Sequence, residues 1–167
     1  MRFHSAAVIR LADAKPVQLG HTIKADGRWR LFLLAAAEDP VAPASSFTAL
    51  CQFLAESRQS PVRRYTPKGA DIDAVIDVWA IFQQGHRELA IEMMPSFLCP
   101  RRAATGYEKM FCLDLKNHND IFEMRGIDRN RRCVVIVGPD GYVAHILPLD
   151  AYAELEAFFD GFMLQRD

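Results

Sequence analysis

The sequence predicts an α/β fold in which a central mixed sheet is flanked by helices. The first observation is the stretch 132–162, where two apolar runs are joined by turn residues and followed by a helical pattern. The second is the pair of apolar runs 30–36 and 72–82, which lie on either side of an amphipathic stretch. Short continuous apolar runs are typical of strands buried on both faces. Both observations therefore favour a sheet covered by helices.

The C-terminal stretch predicts a hairpin followed by a helix. Residues 134–137 are all apolar, and Gly138-Pro139-Asp140-Gly141 combines the residue types that favour a tight turn. Residues 142–147 form the returning strand, which Pro148 ends, and Asp150 is expected to cap the final helix. One face of that helix carries Tyr152, Leu155, Phe158, Phe159 and Phe162.

The first half of the chain predicts a strand, a helix and a second strand. A short strand is expected at 7–11, a loop or edge segment at 16–21, and the first central strand at 30–36. Ser45 or Ser46 is expected to cap a helix that ends near Ser57. Its apolar stripe consists of Phe47, Leu50, Cys51 and Leu54.

The second central strand is expected at 72–82, after a polar loop at 58–69. Asp73 and Asp77 interrupt this apolar run, so we expect them at its ends or on an exposed face. A long insert follows, with a helix expected at 85–94.

The rest of the insert contains a short helix at 121–124, which Asn119 or Asp120 is expected to cap and Gly126 to stop. We interpret the charged loop 125–132 as solvated, and a salt-bridged docking surface is the alternative.

The order is therefore strand, helix, strand, long insert, hairpin and helix. A β-α-β unit joined to a β-β-α unit is the thioredoxin-like topology. The chain shows no repeat, low-complexity tract or linker, so we predict a single thioredoxin-like domain over residues 1–167.

Composition excludes several classes of partner. The net charge of −1 gives no electrostatic basis for binding nucleic acid or an anionic membrane. The apolar runs, such as 31–37, are too short to span a bilayer. The first sixteen residues lack the apolar core of a signal peptide, so we expect a cytoplasmic protein.

The cysteines decide whether redox chemistry is expected. No two of them form a C-x-x-C pair. Thioredoxin-like enzymes place a reactive thiol at the start of the helix after the first central strand, where the helix dipole stabilises a thiolate. Cys51 lies inside that helix and on its apolar stripe, so we interpret it as a core residue. The alternative is a thiol peroxidase or reductase that uses Cys51.

No metal or cofactor site is predicted in this chain. The five histidines are scattered, and we interpret His118 with Asp114 and Asp120 as a loop and helix cap. His145 shares a strand face with Val143 and Leu147 and is interpreted as a core or interface histidine. Neither G-x-G-x-x-G nor a P-loop occurs, which argues against a dinucleotide site.

Five segments of the chain carry a family resemblance. They are RLADAKPVQLGH (10–21), DGRWRLFLLA (26–35), GADIDAVIDVWAIFQQGHREL (69–89), DIFEMRGIDRNRRCVVIV (120–137) and DGYVAHILPLDAYAELEAFFDGFML (140–164). Together they resemble the C-terminal domain of FAD-dependent phenol 2-monooxygenases and 3-hydroxybenzoate 4-monooxygenases. The loop RRAATGYE (101–108) looks shorter than its counterpart in that family.

The resemblance implies a thioredoxin-like domain without redox cysteines that serves subunit or domain contact. FAD and the aromatic substrate would belong to other domains of the family's full-length enzymes, so no catalytic or cofactor-binding residue is assigned here. The implied partner is a second copy, in a homodimer, or a flavoprotein hydroxylase. We expect an exposed apolar patch at such a contact. Part of it is predicted at Pro16, Val17, Gln18, Leu19, Gly20 and His21.

A third interpretation is a small-molecule binding module. It requires a cleft between the second central strand and the long insert, lined largely by apolar groups. No residue pattern names its ligand.

Overall fold

The computed structural model describes residues 2–3, 6–37, 40–99, 106–114, 116 and 121–164. Within them, seven strands form one sheet: β1 (Ala7–Arg10), β2 (Lys15–Gln18), β3 (Trp29–Leu34), β4 (Ile76–Phe82), β5 (Met110–Leu113), β6 (Cys133–Val137) and β7 (Val143–Pro148). The helices are α1 (Leu19–Thr22), α2 (Ser46–Glu56), α3 (Pro61–Tyr65), α4 (Ile121–Arg125) and α5 (Tyr152–Asp160). Short 3₁₀ turns lie at Ile91–Met93, Ser96–Leu98 and Gly106–Lys109.

The sheet is mixed, and its strand order is β2-β1-β5-β4-β3-β6-β7. β3 pairs in parallel with β4, and β4 pairs in parallel with β5. β6 runs antiparallel to β3, and β7 runs antiparallel to β6. The predicted β-α-β unit is therefore β3-α2-β4, and the predicted β-β-α unit is β6-β7-α5.

The central strands are buried because helices cover both faces of the sheet. Alternate residues of β3 point to opposite faces, so Leu31 and Leu33 join the core beneath α2, α3 and α5. Phe32 and Leu34 join the opposite core, to which α1 and α4 contribute. Burial of every residue of β4 agrees with its continuous apolar sequence.

Three local sequence signals mark the start of a helix, the end of a helix and a hairpin turn as predicted. Ser45 caps α2, because its hydroxyl oxygen accepts a hydrogen bond from the Thr48 backbone N–H at 3.0 Å. Gly126 follows α4 with a φ of 61°. In the hairpin turn, the Gly141 backbone N–H donates to the Gly138 carbonyl at 2.9 Å, and the φ of Gly141 is 77°.

Several predicted elements were wrong. Residues 72–75 form turns, and β4 begins only at Ile76. Residues 85–94 form turns and the 3₁₀ turn Ile91–Met93 instead of an α-helix. The expected loop at 58–69 contains α3, which Pro61 starts, since proline is favoured at the first helical position.

The start of α5 was also misplaced. Its N-cap is Ala151, without a side-chain cap, so the prediction that Asp150 caps this helix was wrong. The predicted caps of α4, Asn119 and Asp120, lie outside the described residues.

The main error in the prediction of the central strands concerns the burial of Asp77 in β4. It was expected at a strand end or on an exposed face, yet only 1% of its side chain is exposed. Its carboxylate accepts a hydrogen bond from Lys109 Nζ at 2.6 Å and lies 3.4 Å from Arg28 Nη1. Lys109 also binds Asp73. The carboxylate is buried because it is paired with cations.

We expect Asp77→Asn to lower the free energy of unfolding by roughly 2 to 4 kcal/mol, because Lys109 and Arg28 lose a buried counter-charge. Urea denaturation at neutral pH measures the change. The matched control is Asp13→Asn, which removes an exposed partner of Arg10 and should have little effect. Equal losses of unfolding free energy in the two variants would contradict a stabilising role for the charged cluster of Asp77, Asp73, Lys109 and Arg28.

The same cluster predicts acid sensitivity. Burial alone would raise the pKa of Asp73, but the hydrogen bond from Lys109 and the charges of Lys109 and Arg28 lower it below its ordinary value. Asp73 therefore contributes stability that is fully present above its unfolded pKa of about 4 and is lost as the pH falls through its folded pKa. In the Lys109→Met variant the pKa of Asp73 should lie closer to its unfolded value, so the free energy of unfolding should fall less as the pH decreases. Urea denaturation across that pH range measures the change.

Candidate functional site

The first turn of α2 is where a thioredoxin-like enzyme would hold its reactive thiol, and serines occupy it here. Besides capping the helix, the Ser45 hydroxyl donates to the Pro40 carbonyl at 2.9 Å. Ser46 Oγ accepts a hydrogen bond from Arg132 Nη1 at 2.6 Å. A guanidinium is a donor only and cannot act as a base, so it does not activate the hydroxyl as a nucleophile. This position holds structural hydrogen bonds.

A surface groove lies beside that turn. Its volume is about 600 Å³, and it runs between the start of β6 and the end of β7. Its apolar lining includes Ile146, Leu147 and Pro148, and its polar lining includes Ser46, Arg131 and Arg132. The groove therefore combines an apolar strand edge with an end of mixed charge, because Asp150 lines it together with the two arginines.

Cys51 packs in the core. Its side chain is 1% exposed, and it belongs to the core beneath α2. Burial raises the pKa of its thiol far above the ordinary value, so no thiolate forms near neutral pH. Burial also raises the pKa values of Cys112 and Cys133 to about 11. All four cysteines are free thiols, and Cys99 is partly exposed.

The histidines do not assemble a metal centre within the described part of the chain, where no cluster of metal-ligating side chains is found. His118 and Asp120 lie outside the described residues. His145 is exposed at the edge of the sheet and stacks on Phe158 of α5, with ring centroids 5.7 Å apart. It is therefore a surface histidine. The sequence analysis named the core and an interface as its alternatives, and the core placement was wrong.

Among the described residues, one small cavity lies where the small-molecule interpretation requires a cleft. Between β4 and the described part of the insert, the cavity lined by Ile72, Phe97 and Lys109 has a volume of about 10 Å³. That is about the space of one water molecule. A ligand of ordinary size does not fit there.

The predicted interface segment forms the outer strand β2 and the short helix α1. Pro16, Gln18 and His21 are exposed, whereas Leu19 is completely buried in the core beneath α1. Leu19 therefore cannot belong to an exposed patch. A contact role for the other residues stays a prediction.

The opposite edge of the sheet carries more exposed apolar surface. Ile146 of β7 is 52% exposed, and Tyr142 and Phe162 are each about half exposed. Phe162 extends a ring cluster built on Trp29, Phe158 and Phe159. Sequence reasoning missed this surface, although the lack of charge between Val143 and Pro148 was visible.

Comparison with known proteins places these features in a family. A family model described as "Phenol hydroxylase, C-terminal dimerisation domain" matches residues 1–167. The chain is 53% identical to a 3-hydroxybenzoate 4-monooxygenase of Comamonas testosteroni, over 98% of this chain and 26% of that protein. It is 30% identical to an FAD-dependent monooxygenase of Aspergillus terreus, over 99% of this chain and 28% of that protein. The chain thus spans about a quarter of the length of these relatives.

Solved structures confirm the predicted thioredoxin-like fold. A thiol:disulfide interchange protein from Bacteroides sp. matches with a TM-score of 0.56 at 16% identity, over 94% of this chain and 87% of that one. The thioredoxin domain of a thiol-disulfide oxidoreductase from Bacteroides vulgatus matches with a TM-score of 0.51 at 14% identity, over 95% of both chains. At these identities the likeness concerns the fold alone. Among the described helices, none has the length and apolarity needed to cross a bilayer.

Thiol labelling tests the inert environment of the cysteines. At neutral pH we expect Cys99 to react first with iodoacetamide, because it is partly exposed, while Cys51, Cys112 and Cys133 react only after denaturant is added. Mass spectrometry of the labelled peptides measures each rate. Rapid labelling of Cys51 in the native protein would contradict its core placement and support the peroxidase or reductase alternative.

Proposed function

This chain belongs to the phenol hydroxylase C-terminal dimerisation domain family, and we propose that it joins the subunits of a flavin-dependent aromatic hydroxylase. The observation that carries the proposal is the family match over the whole chain, combined with a thioredoxin-like fold that has no thiol at the first turn of α2. The relatives are named as monooxygenases, and this chain corresponds to about a quarter of each. Hydroxylation is therefore proposed for a longer protein, with this domain in a contact role.

The residues present do not fit FAD. Dinucleotide sites place a glycine-rich loop between a strand and a helix so that the backbone approaches the pyrophosphate. The connection from β3 to α2, residues 35–45, contains no glycine. We therefore propose that FAD, which the name of one relative includes, is held by other domains of the hydroxylase.

A second copy of the chain is the partner we favour, and a flavoprotein hydroxylase chain is the other candidate. A dimerisation domain needs an outward-facing apolar surface, and the edge around Ile146 and Phe162 supplies one. We place the protein in the cytoplasm, because four free thiols suit a reducing compartment.

The competing function, a thiol peroxidase or reductase, has less support. It requires an accessible thiol of lowered pKa, whereas burial raises the pKa of Cys51. The structural likeness to thiol-disulfide oxidoreductases concerns the fold alone.

Two measurements on the purified chain test the proposed function. Sedimentation equilibrium should show reversible self-association, or binding to a hydroxylase chain supplied separately, because the proposed role is contact between subunits. The absorbance spectrum should lack the visible band of oxidised flavin. A chain that stays monomeric at high concentration and binds no hydroxylase chain would overturn the contact role, and a stoichiometric flavin band would overturn the placement of FAD.

A further inference from the structure

A cavity of about 260 Å³ lies between α1 and the turn of the C-terminal hairpin. Its lining residues include Gly20 of α1, and Pro139 and Gly141 of the turn. It shares no lining residue with the small cavity beside β4. Clefts for drug-sized ligands have volumes of roughly 300 to 1,000 Å³, so this cavity suits a smaller molecule.

The position of Arg30 in β3 places its side chain in the wall of this cavity. Alternate residues of a strand share a face, and Phe32 and Leu34 belong to the core to which α1 contributes. Val137, which lies opposite Arg30 in the register with β6, also lines the cavity. Only 2% of the Arg30 side chain is exposed. The cavity wall therefore contains a buried guanidinium.

The guanidinium of Arg30 has an unused hydrogen-bond donor. Its Nη2 donates to the Lys24 carbonyl at 2.7 Å and to Asp26 Oδ1 at 2.9 Å. Its Nε is buried and has no hydrogen-bond acceptor within the described part of the chain. A buried donor without an acceptor opposes folding. An acceptor that enters the cavity from solution would remove this cost.

The carboxylates nearest to Arg30 in the structure are shared with other cations. Asp26 binds Arg28 as well as Arg30. Asp77 lies beside Arg30 in the register of β3 with β4, and it is paired with Lys109 and Arg28. Neither carboxylate therefore neutralises Arg30 alone.

The charged residues of the cavity wall favour an anion as the ligand. Arg2, Lys24 and Arg30 are the cations of the lining, and Asp140 is its carboxylate. Asp140 is exposed and accepts a hydrogen bond from the Tyr142 backbone N–H at 3.0 Å, within the hairpin turn. Cations thus outnumber carboxylates around the cavity, and a ligand of one negative charge improves the balance.

Apolar side chains form another part of the lining. Phe3 and Val137 are buried, and Ile23 is partly buried. A ligand with an apolar body would remove these groups from water, which a bare inorganic anion does less well. Lys24 is exposed, so the cavity can be reached from solvent on that side.

We propose that this cavity binds a small carboxylate whose apolar body is about the size of one ring. The carboxylate oxygens accept hydrogen bonds from the guanidinium of Arg30 and the ammonium group of Lys24. The apolar body contacts Phe3, Ile23 and Val137. This binding site is separate from the contact role proposed above and goes beyond it.

Calorimetric titration of the purified chain with benzoate tests the proposal. Benzoate should bind saturably at one site per chain. Benzyl alcohol lacks the charge and inorganic phosphate lacks the apolar body, so each should bind at least about tenfold more weakly. The proposal is overturned if benzoate shows no saturable binding, or if either of the other two compounds binds as tightly as benzoate.

Two variants and a matched control test the residues. Lys24→Gln should raise the dissociation constant of benzoate roughly two- to fivefold, because it removes one exposed charge. Lys68→Gln makes the same change at an exposed lysine outside the cavity and should leave the constant unchanged. Arg30→Lys keeps the charge but loses Nε, and it should weaken binding at least about tenfold.

Circular dichroism verifies that each variant is folded, and Lys24→Gln keeps the test decisive if Arg30→Lys does not fold. Equal effects of Lys24→Gln and Lys68→Gln would overturn the assignment of Lys24.

Nuclear magnetic resonance locates the bound benzoate independently of any substitution. The backbone amide resonances of Gly20 and Gly141 should shift as benzoate is added, because both glycines line the cavity. The amide resonance of Gly69, which does not line it, should stay in place. Shifts at Gly69 without shifts at Gly20 and Gly141 would show that benzoate binds elsewhere and would overturn the proposed site.

Discussion

The parallel pairing of β3 with β4, from Trp29 beside Ile76 to Leu34 beside Ile81, is the contact around which the domain is built. Both strands are buried almost throughout, so each sheet face needs a cover of apolar side chains. The helices α2, α3 and α5 supply one cover, and α1 and α4 contribute to the other. The same burial explains why Asp77 sits among cations, because an unpaired carboxylate within β4 would oppose folding.

The scaffold keeps the geometry of a redox enzyme while its chemistry is absent at the expected position. The start of a helix stabilises negative charge, and redox relatives of this fold use that property to favour a thiolate. Here Ser45 accepts a hydrogen bond from one backbone N–H at the start of α2, that of Thr48, and Ser46 accepts one from Arg132. The nearest thiol, Cys51, points into the core. The chain therefore belongs to the dimerisation-domain family and has serines where redox proteins of this fold hold a thiol.

The sequence predicted several parts of this structure that depend on local pattern, but it missed α3 and predicted an α-helix at 85–94 that does not form. The caps and stripe of α2, the hairpin turn and the central strands follow from residue type and spacing, and the family resemblance followed from whole segments. Features that depend on tertiary packing were not accessible. Asp77 reads as a surface residue until Lys109, distant in sequence, is placed beside it. Likewise, the sequence does not show that β7 is the last strand of the described sheet, beside β6. At that position Ile146 is exposed.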